Sequence, residues 1–200
     1  MGSIYCVPVG NVNKDMITMA ERYLNGMFGM HVESCSPMPD PLFALDEKRK
    51  QYSSTLILRK LAERRDDRAV RYLGLTELDL YIPMLTFVYG QAQLSLPTDP
   101  VFAHGRVAVV SLARLAPEFY ELPPDRDLTA RRARKEIAHE IGHTLGLVHC
   151  GNRSCLMSLA TEILELDMKS QDFCRDCWNK LQENLTLLGA ETNHRENLES

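Results

Sequence analysis

The stretch that decides the fold is His139-Glu140-Ile141-Gly142-His143-Thr144-Leu145-Gly146-Leu147-Val148-His149. On an α-helix each residue advances about 100° around the axis, so His139 and His143 stand one turn apart on one stripe. Two imidazoles on that stripe can aim nitrogens at one metal ion. Glu140 lies about 60° from His143 on the same side, close enough to reach a water beside the ion without binding the ion itself. Gly146 allows the chain to leave the helix through a left-handed conformation that a Cβ penalises. His149 can then approach from another direction. Three protein ligands leave one position of a tetrahedral zinc open, the arrangement of a catalytic site. A water there has its pKa lowered to about 7, and Glu140 can take its proton as general base. Five fixed residues at about 5% usage each match by chance on the order of 10⁻⁴ in a chain this long, so a run of surface histidines is a poor explanation. Of the six histidines, His31, His104 and His194 have no such company and read as ordinary residues.

A second group follows at once: Cys150, Cys155, Cys174 and Cys177. Two residues separate Cys174 from Cys177, the spacing with which one turn grips one ion, and Cys150 to Cys155 is a slightly longer loop pair. Four thiolates make a closed, structural zinc site; two disulfides or free thiols are the alternatives. The first residues, MGSIYCVPVG, have no basic start and no long apolar run, and read as a strand. No stretch reaches the roughly 18 apolar residues of a membrane span. A reducing, cytoplasmic location is therefore expected, where clustered cysteines favour metal over disulfide. Cys6 and Cys35 stand apart and read as small core hydrophobes. Because Cys150 follows His149 directly, the structural zinc is expected to help aim the third histidine.

Outward from these groups, the 200 residues carry 44% hydrophobic and 25% charged side chains with a formal net charge of -4. That composition implies a packed core and gives no general drive toward nucleic acid or an anionic membrane. Residues 4–9 and 30–35 read as strands, with a helix between them from Asn13 or Asp15 to about Phe28. Residues 36–41, with three prolines, form a loop. A helix is expected over 51–64, strands over 87–94 and 106–115, and the region 69–83 has no settled pattern. The active-site helix should begin at Asp127 or Thr129 and end at Gly146, and a last helix should run from Ser170 through Leu188. The alternation predicts an α/β layer over residues 1–146 and a small C-terminal lobe over 147–200.

The run HExxHxxGxxH is the metzincin zinc motif, and with Cys150, Cys155, Met157, Cys174 and Cys177 it resembles the archaemetzincin family across residues 139–177. Residues 79–81, 87–92 and 109–115 resemble that family less specifically. The resemblance implies an α/β (α+β) zincin-like fold: a twisted mixed β-sheet with backing helices, an active-site helix, a C-terminal lobe with a four-cysteine zinc site, and a terminal helix. It implies two zinc ions per chain and makes Met157 the Met-turn residue beneath the histidines. It also implies hydrolysis of a peptide or protein substrate laid along an edge strand, with residues 107–112 as the candidate strand near the cleft. No Tyr closely follows Met157, so a tyrosine ligand of the kind some other metzincins have is not expected. An aminopeptidase-like mode needs an acidic group for the substrate's amine, and Glu118, Glu121 and Glu162 are the candidates. The competing class is a zinc-stabilised peptide-binding module with a vestigial site, against which the intact Glu140 argues. A monomer is expected.

Overall fold

The computed structural model describes residues 3–64, 69–94 and 106–187. Strand β1, Ser3–Val9, divides its side chains by the period of two that a pleat imposes. Ile4 and Cys6 enter one core while Tyr5, Val7 and Val9 enter another. The same split occurs in β8, Val107–Ser111, with Ala108 and Val110 on one face and Val107 and Val109 on the other. A sheet buried on both faces reads as unbroken apolar runs, which makes these two strands the plainest in the sequence.

Helix α1, Lys14–Phe28, is capped by Asn13, whose side chain accepts from the Asp15 amide at 2.8 Å. It buries Ile17, Ala20, Leu24 and Phe28. Strand β2, His31–Ser34, follows, and Cys35 lies just beyond it, half-buried and not in the strand core as expected. Strands β3, Leu45–Asp46, and β4, Gln51–Ser53, pair antiparallel. Ser53 then caps α2, Ser54–Ala62, so the helix expected over 51–64 starts three residues later. The unsettled region contains β5, Ala69–Thr76, the central strand of the sheet, and β6, Leu80–Tyr81, which pairs with β4. The strand expected over 87–94 is reduced to β7, Gly90–Ala92.

The main sheet has the order β2-β1-β5-β8-β7, parallel except for β7, which runs antiparallel to β8. Strand β8 is therefore interior, and the edge belongs to β7; the candidate strand at 107–112 lies one place further in than expected. Helix α2 packs on the face of Tyr5, Val7 and Val109 through Ile57, Leu58 and Leu61. The opposite face receives α1 and α3, Arg126–Thr144. Helix α3 starts at the Asp125 cap, whose carboxylate accepts from the Leu128 amide at 2.8 Å, two to four residues before the expected start. It ends where expected: Gly146 has φ of 86°, and the Leu147 amide returns to the Gly142 carbonyl at 3.0 Å. Beyond it come α4, Ile163–Met168, and α5, Arg175–Leu187; Leu188 lies outside the described residues. Leu156, Met157, Leu166, Phe173, Leu181 and Leu185 join the core of α1 and α3.

Candidate metal centre

Ile137 and Ile141 point into the core, which leaves His139, Glu140 and His143 on the side of α3 that borders a cleft of about 460 Å³. The cleft wall opposite comes from β7 and the segment before it, and its far side from Val148, Leu159 and Ala160. Gly146 turns the chain, and His149 returns so that its ring centroid is 5.3 Å from that of His139 and 4.9 Å from that of His143. One ring nitrogen from each of the three histidines lies within 4.8 Å of the others.

Which nitrogens face inward is settled by carbonyls. His139 Nδ1 sits 3.0 Å from the Leu156 carbonyl and His143 Nδ1 2.8 Å from the Leu147 carbonyl. A carbonyl only accepts, so each Nδ1 carries the proton and donates it, and each Nε2 keeps its lone pair. Those two Nε2 atoms are 3.1 Å apart. Two lone pairs at that distance repel unless a cation lies between them, so the donor set fits a zinc ion and not a hydrogen bond. The rings are also held neutral. Burial drives the His139 pKa well below the usual histidine value, with the Lys169 charge second; burial takes His143 to about 4 and lowers His149. Neutral imidazole is the form that binds metal.

Glu140 is buried beside them. Burial raises its pKa, and the neighbouring Glu136 carboxylate adds to the rise. Glu136 stands one helical turn earlier, is itself raised by burial, and hydrogen bonds to Glu140. The buried Lys169 ammonium balances both carboxylates. Its Nζ lies 3.5 Å from His139 Nδ1, a contact between two donors and so a matter of charge alone. Lys169 directly follows α4, and α4 is tied to α3 where Arg132 makes a bidentate pair with Asp167 at 2.8 and 2.7 Å and Lys135 donates to the Leu166 and Asp167 carbonyls. Glu118, Glu121 and Glu162 are exposed, and none lines the cleft.

The four cysteines also converge, with sulfurs within 4.8 Å of one another. Cys150 and Cys174 are 3.8 Å apart at sulfur, far beyond the roughly 2.05 Å of a disulfide. Backbone amides point at the sulfurs: Asn152 to Cys150 at 3.4 Å, Met157 to Cys155 at 3.4 Å and Cys174 to Cys155 at 3.3 Å. Amide donors stabilise thiolates. Backbone donation from Cys177 lowers the Cys174 pKa, while burial raises those of Cys155 and Cys177. Four adjacent thiols ionise together only around a cation, and this donor set fits zinc.

Met157 is fully buried beneath α3. A Cβ on Gly142 would come within 2.8 Å of its sulfur, so the glycine inside the helix makes room for Met157 between the two helical histidines. The tripeptide Cys155-Leu156-Met157 thus carries a thiol of one cluster, the carbonyl that orients His139 in the other, and the methionine under the helix. Sequence reading missed Glu136, Lys169, Gly90 and the Leu156 carbonyl. Only the i, i+4 spacing of Glu136 and Glu140 was visible in advance.

The model of Peptidase family M54 matches residues 40–183. The chain belongs to that peptidase family. It is 41% identical over 179 residues to an archaemetzincin of Methanocaldococcus jannaschii, covering 88% of this chain and 90% of the relative. Among solved structures it is similar to an archaemetzincin of Methanopyrus kandleri, with a TM-score of 0.78 and 35% identity over 92% of this chain and 96% of that one. A zinc-dependent peptidase of Methanocorpusculum labreanum gives a TM-score of 0.75 and 30% identity over 89% and 99%. The archaemetzincin resemblance read from the motif, the mixed α/β architecture and the class of zinc metallopeptidase all stand. Among the described residues no helix is long and apolar enough to cross a membrane.

Proposed function

We propose that Glu140 is the general base for hydrolysis of a peptide bond at a zinc held by His139, His143 and His149. We propose further that Cys150, Cys155, Cys174 and Cys177 hold a second, structural zinc, and that Met157 supports the first site from below. The observation that carries this reading is the convergence of three neutral imidazoles, two with Nε2 fixed as the free lone pair, beside a buried carboxylate on one cleft.

When bound, the catalytic zinc supplies Lewis acidity to the substrate carbonyl and to the attacking water. The chain's own residues do the rest. Strand β7 closes the sheet with one edge paired to β8, and Gly90, Gln91 and Ala92 line the cleft. An extended peptide can add to that edge through main-chain hydrogen bonds. Exposed Leu85, Leu94, Val148 and Leu159 give the cleft apolar walls for the substrate's side chains. Glu140 takes the proton of the attacking water on its carboxylate and delivers it to the departing amine nitrogen. Its raised pKa, caused by burial and the neighbouring Glu136, makes it a stronger base for taking that proton.

Glu136 is the other carboxylate among the described residues that line the cleft, and it is engaged by Glu140 and balanced by Lys169. With no free acid placed for a substrate amine among the described residues, we favour cleavage within extended peptides over an aminopeptidase mode. Every group in the site comes from one chain, so a monomer suffices. Four clustered cysteines needed as thiolates suit a reducing, cytoplasmic setting. We take residues 1–146 and 147–200 as two subdomains that meet at the cleft, the chain passing between them at Gly146.

Zinc-loaded protein should cleave a mixed peptide pool, and Glu140→Ala should bind the same peptides and cleave none. Equal binding without cleavage by both proteins would favour a binding module instead.

A further inference from the structure

We propose that Gly90 is a positioning residue for the reaction: its missing side chain lets β7 press against Glu140 and set where the carboxylate stands. The inference rests on Glu140 being the general base. A Cβ built on Gly90 would lie 2.6 Å from Glu140 Cγ, 2.9 Å from its Oε1 and 3.0 Å from its Cδ. All three nearest atoms belong to that one side chain, and the first two separations are shorter than real Cβ atoms essentially ever show.

The backbone does not explain this glycine. Gly10, Gly29 and Gly146 have positive φ, and Gly90 does not, so an L-residue can adopt its conformation. Glycine also weakens a strand, because it has no side chain to pack and more freedom to lose. A glycine retained in a three-residue edge strand where the backbone does not require it points to close approach by another group, and that group is Glu140.

Strand β7 cannot easily yield. Ser111 donates to the Tyr89 carbonyl at 2.8 Å and Gln93 to the Val107 carbonyl at 3.0 Å, bracketing Gly90 opposite Val110. Ser54, at the start of α2, donates to Gln91 Oε1 at 2.6 Å. On its other side Glu140 meets Glu136 from the preceding turn of α3, with Lys169 balancing both. The base is therefore gripped between a fixed strand and its own helix. The same strand is the outer strand of the sheet, where the substrate is proposed to add, so peptide register and base position share one element.

Two measurements test this. Gly90→Ala should lower kcat for peptide cleavage by about 100-fold or more, the penalty of a misplaced group, with KM changed by less than about twofold and zinc content unchanged. A double-mutant cycle on thermal unfolding reads the contact without activity. Gly90→Ala should lower the unfolding midpoint by about 3 °C or more in the native background and not at all in Glu140→Ala, where the clashing atoms are gone. If Gly90→Ala alone fails to fold, Glu140→Ala should rescue it. An equal loss in both backgrounds, or an unchanged kcat, overturns the proposal. A Glu140→Ala protein that still cleaves peptides sinks the general-base reading while leaving the cycle, and so the contact, intact.

Discussion

Replacing Cys174 with Ser removes one ligand from the proposed structural zinc site, and a second consequence is expected at the histidine site. Three covalent or hydrogen-bonded links join them. His149 and Cys150 are consecutive; the Cys150 amide donates to the Met157 carbonyl at 2.9 Å; and Leu156, next to Cys155, supplies the carbonyl 3.0 Å from His139 Nδ1. The Cys174 amide also donates to Cys155 Sγ. Releasing the cysteine cluster frees the loop that aims His149 and orients His139. Losing an outer partner of a ligating histidine typically weakens metal binding 10- to 100-fold, about 1.4–2.7 kcal/mol. We expect that loss at the histidine site in Cys174→Ser. Cobalt(II) titration separates the sites, since thiolate coordination gives intense charge-transfer bands and imidazole coordination only weak ones. Competition with a chelator then yields each affinity, with far-UV circular dichroism confirming that the variant is folded. A folded Cys174→Ser protein whose histidine site keeps its affinity within twofold would refute the coupling.

Other expectations follow from the same geometry. His143, held at about 4 by burial against an ordinary 6.5, is protonated in the unfolded chain over a pH range where the folded chain leaves it neutral. Its share of zinc-free stability is therefore intact above pH 6.5 and falls as pH drops to 4, by on the order of 3 kcal/mol, read as the difference in urea unfolding between native protein and His143→Gln. Taking that difference cancels the opposite trend from the raised Glu136 and Glu140 carboxyls. Asp167→Ala strands the buried Arg132 guanidinium and should cost about 3 kcal/mol of stability by the same urea assay, while Lys180→Ala, which breaks an exposed pair with Glu183, should cost under about 1 kcal/mol. Gly142→Ala gains about 1 kcal/mol of helix propensity but forces Met157 aside, an overpacking cost of about 1–3 kcal/mol. Calorimetry should show a net loss, and zinc at the histidine site should bind more weakly.

How much of this was legible depended on whether the signal was local. The histidine run, the Cys174–Cys177 spacing, a helix cap at Asn13 or Asp15 and the apolar strands β1 and β8 each declare themselves within a few residues. Strand β5 did not, because Arg71 and Gly74 interrupt its apolar pattern. Gly74 is small because Leu61, Val9 and Val109 crowd the position where its Cβ would be, a fact of packing invisible in sequence. Strand β7 is shorter than the sequence suggests because its aromatic flank, Phe87 and Tyr89, reads as β while only Gly90–Ala92 pair with β8. The start of α3 shifted because Asp125, and not the later Asp127 or Thr129, reaches the Leu128 amide. Within the site, Lys169 lies 30 residues from His139 and Gly90 lies 50 from Glu140, so neither could be placed before the fold was known.

The most direct test of the central claim is an anomalous-scattering map of crystals of the purified protein, recorded at the zinc edge. Two zinc peaks per chain are expected, one bonded by Nε2 of His139, His143 and His149 with Glu140 beside it, the other by four cysteine sulfurs. A peak among the cysteines alone, or histidines bonding through Nδ1 with Glu140 turned away, would contradict it.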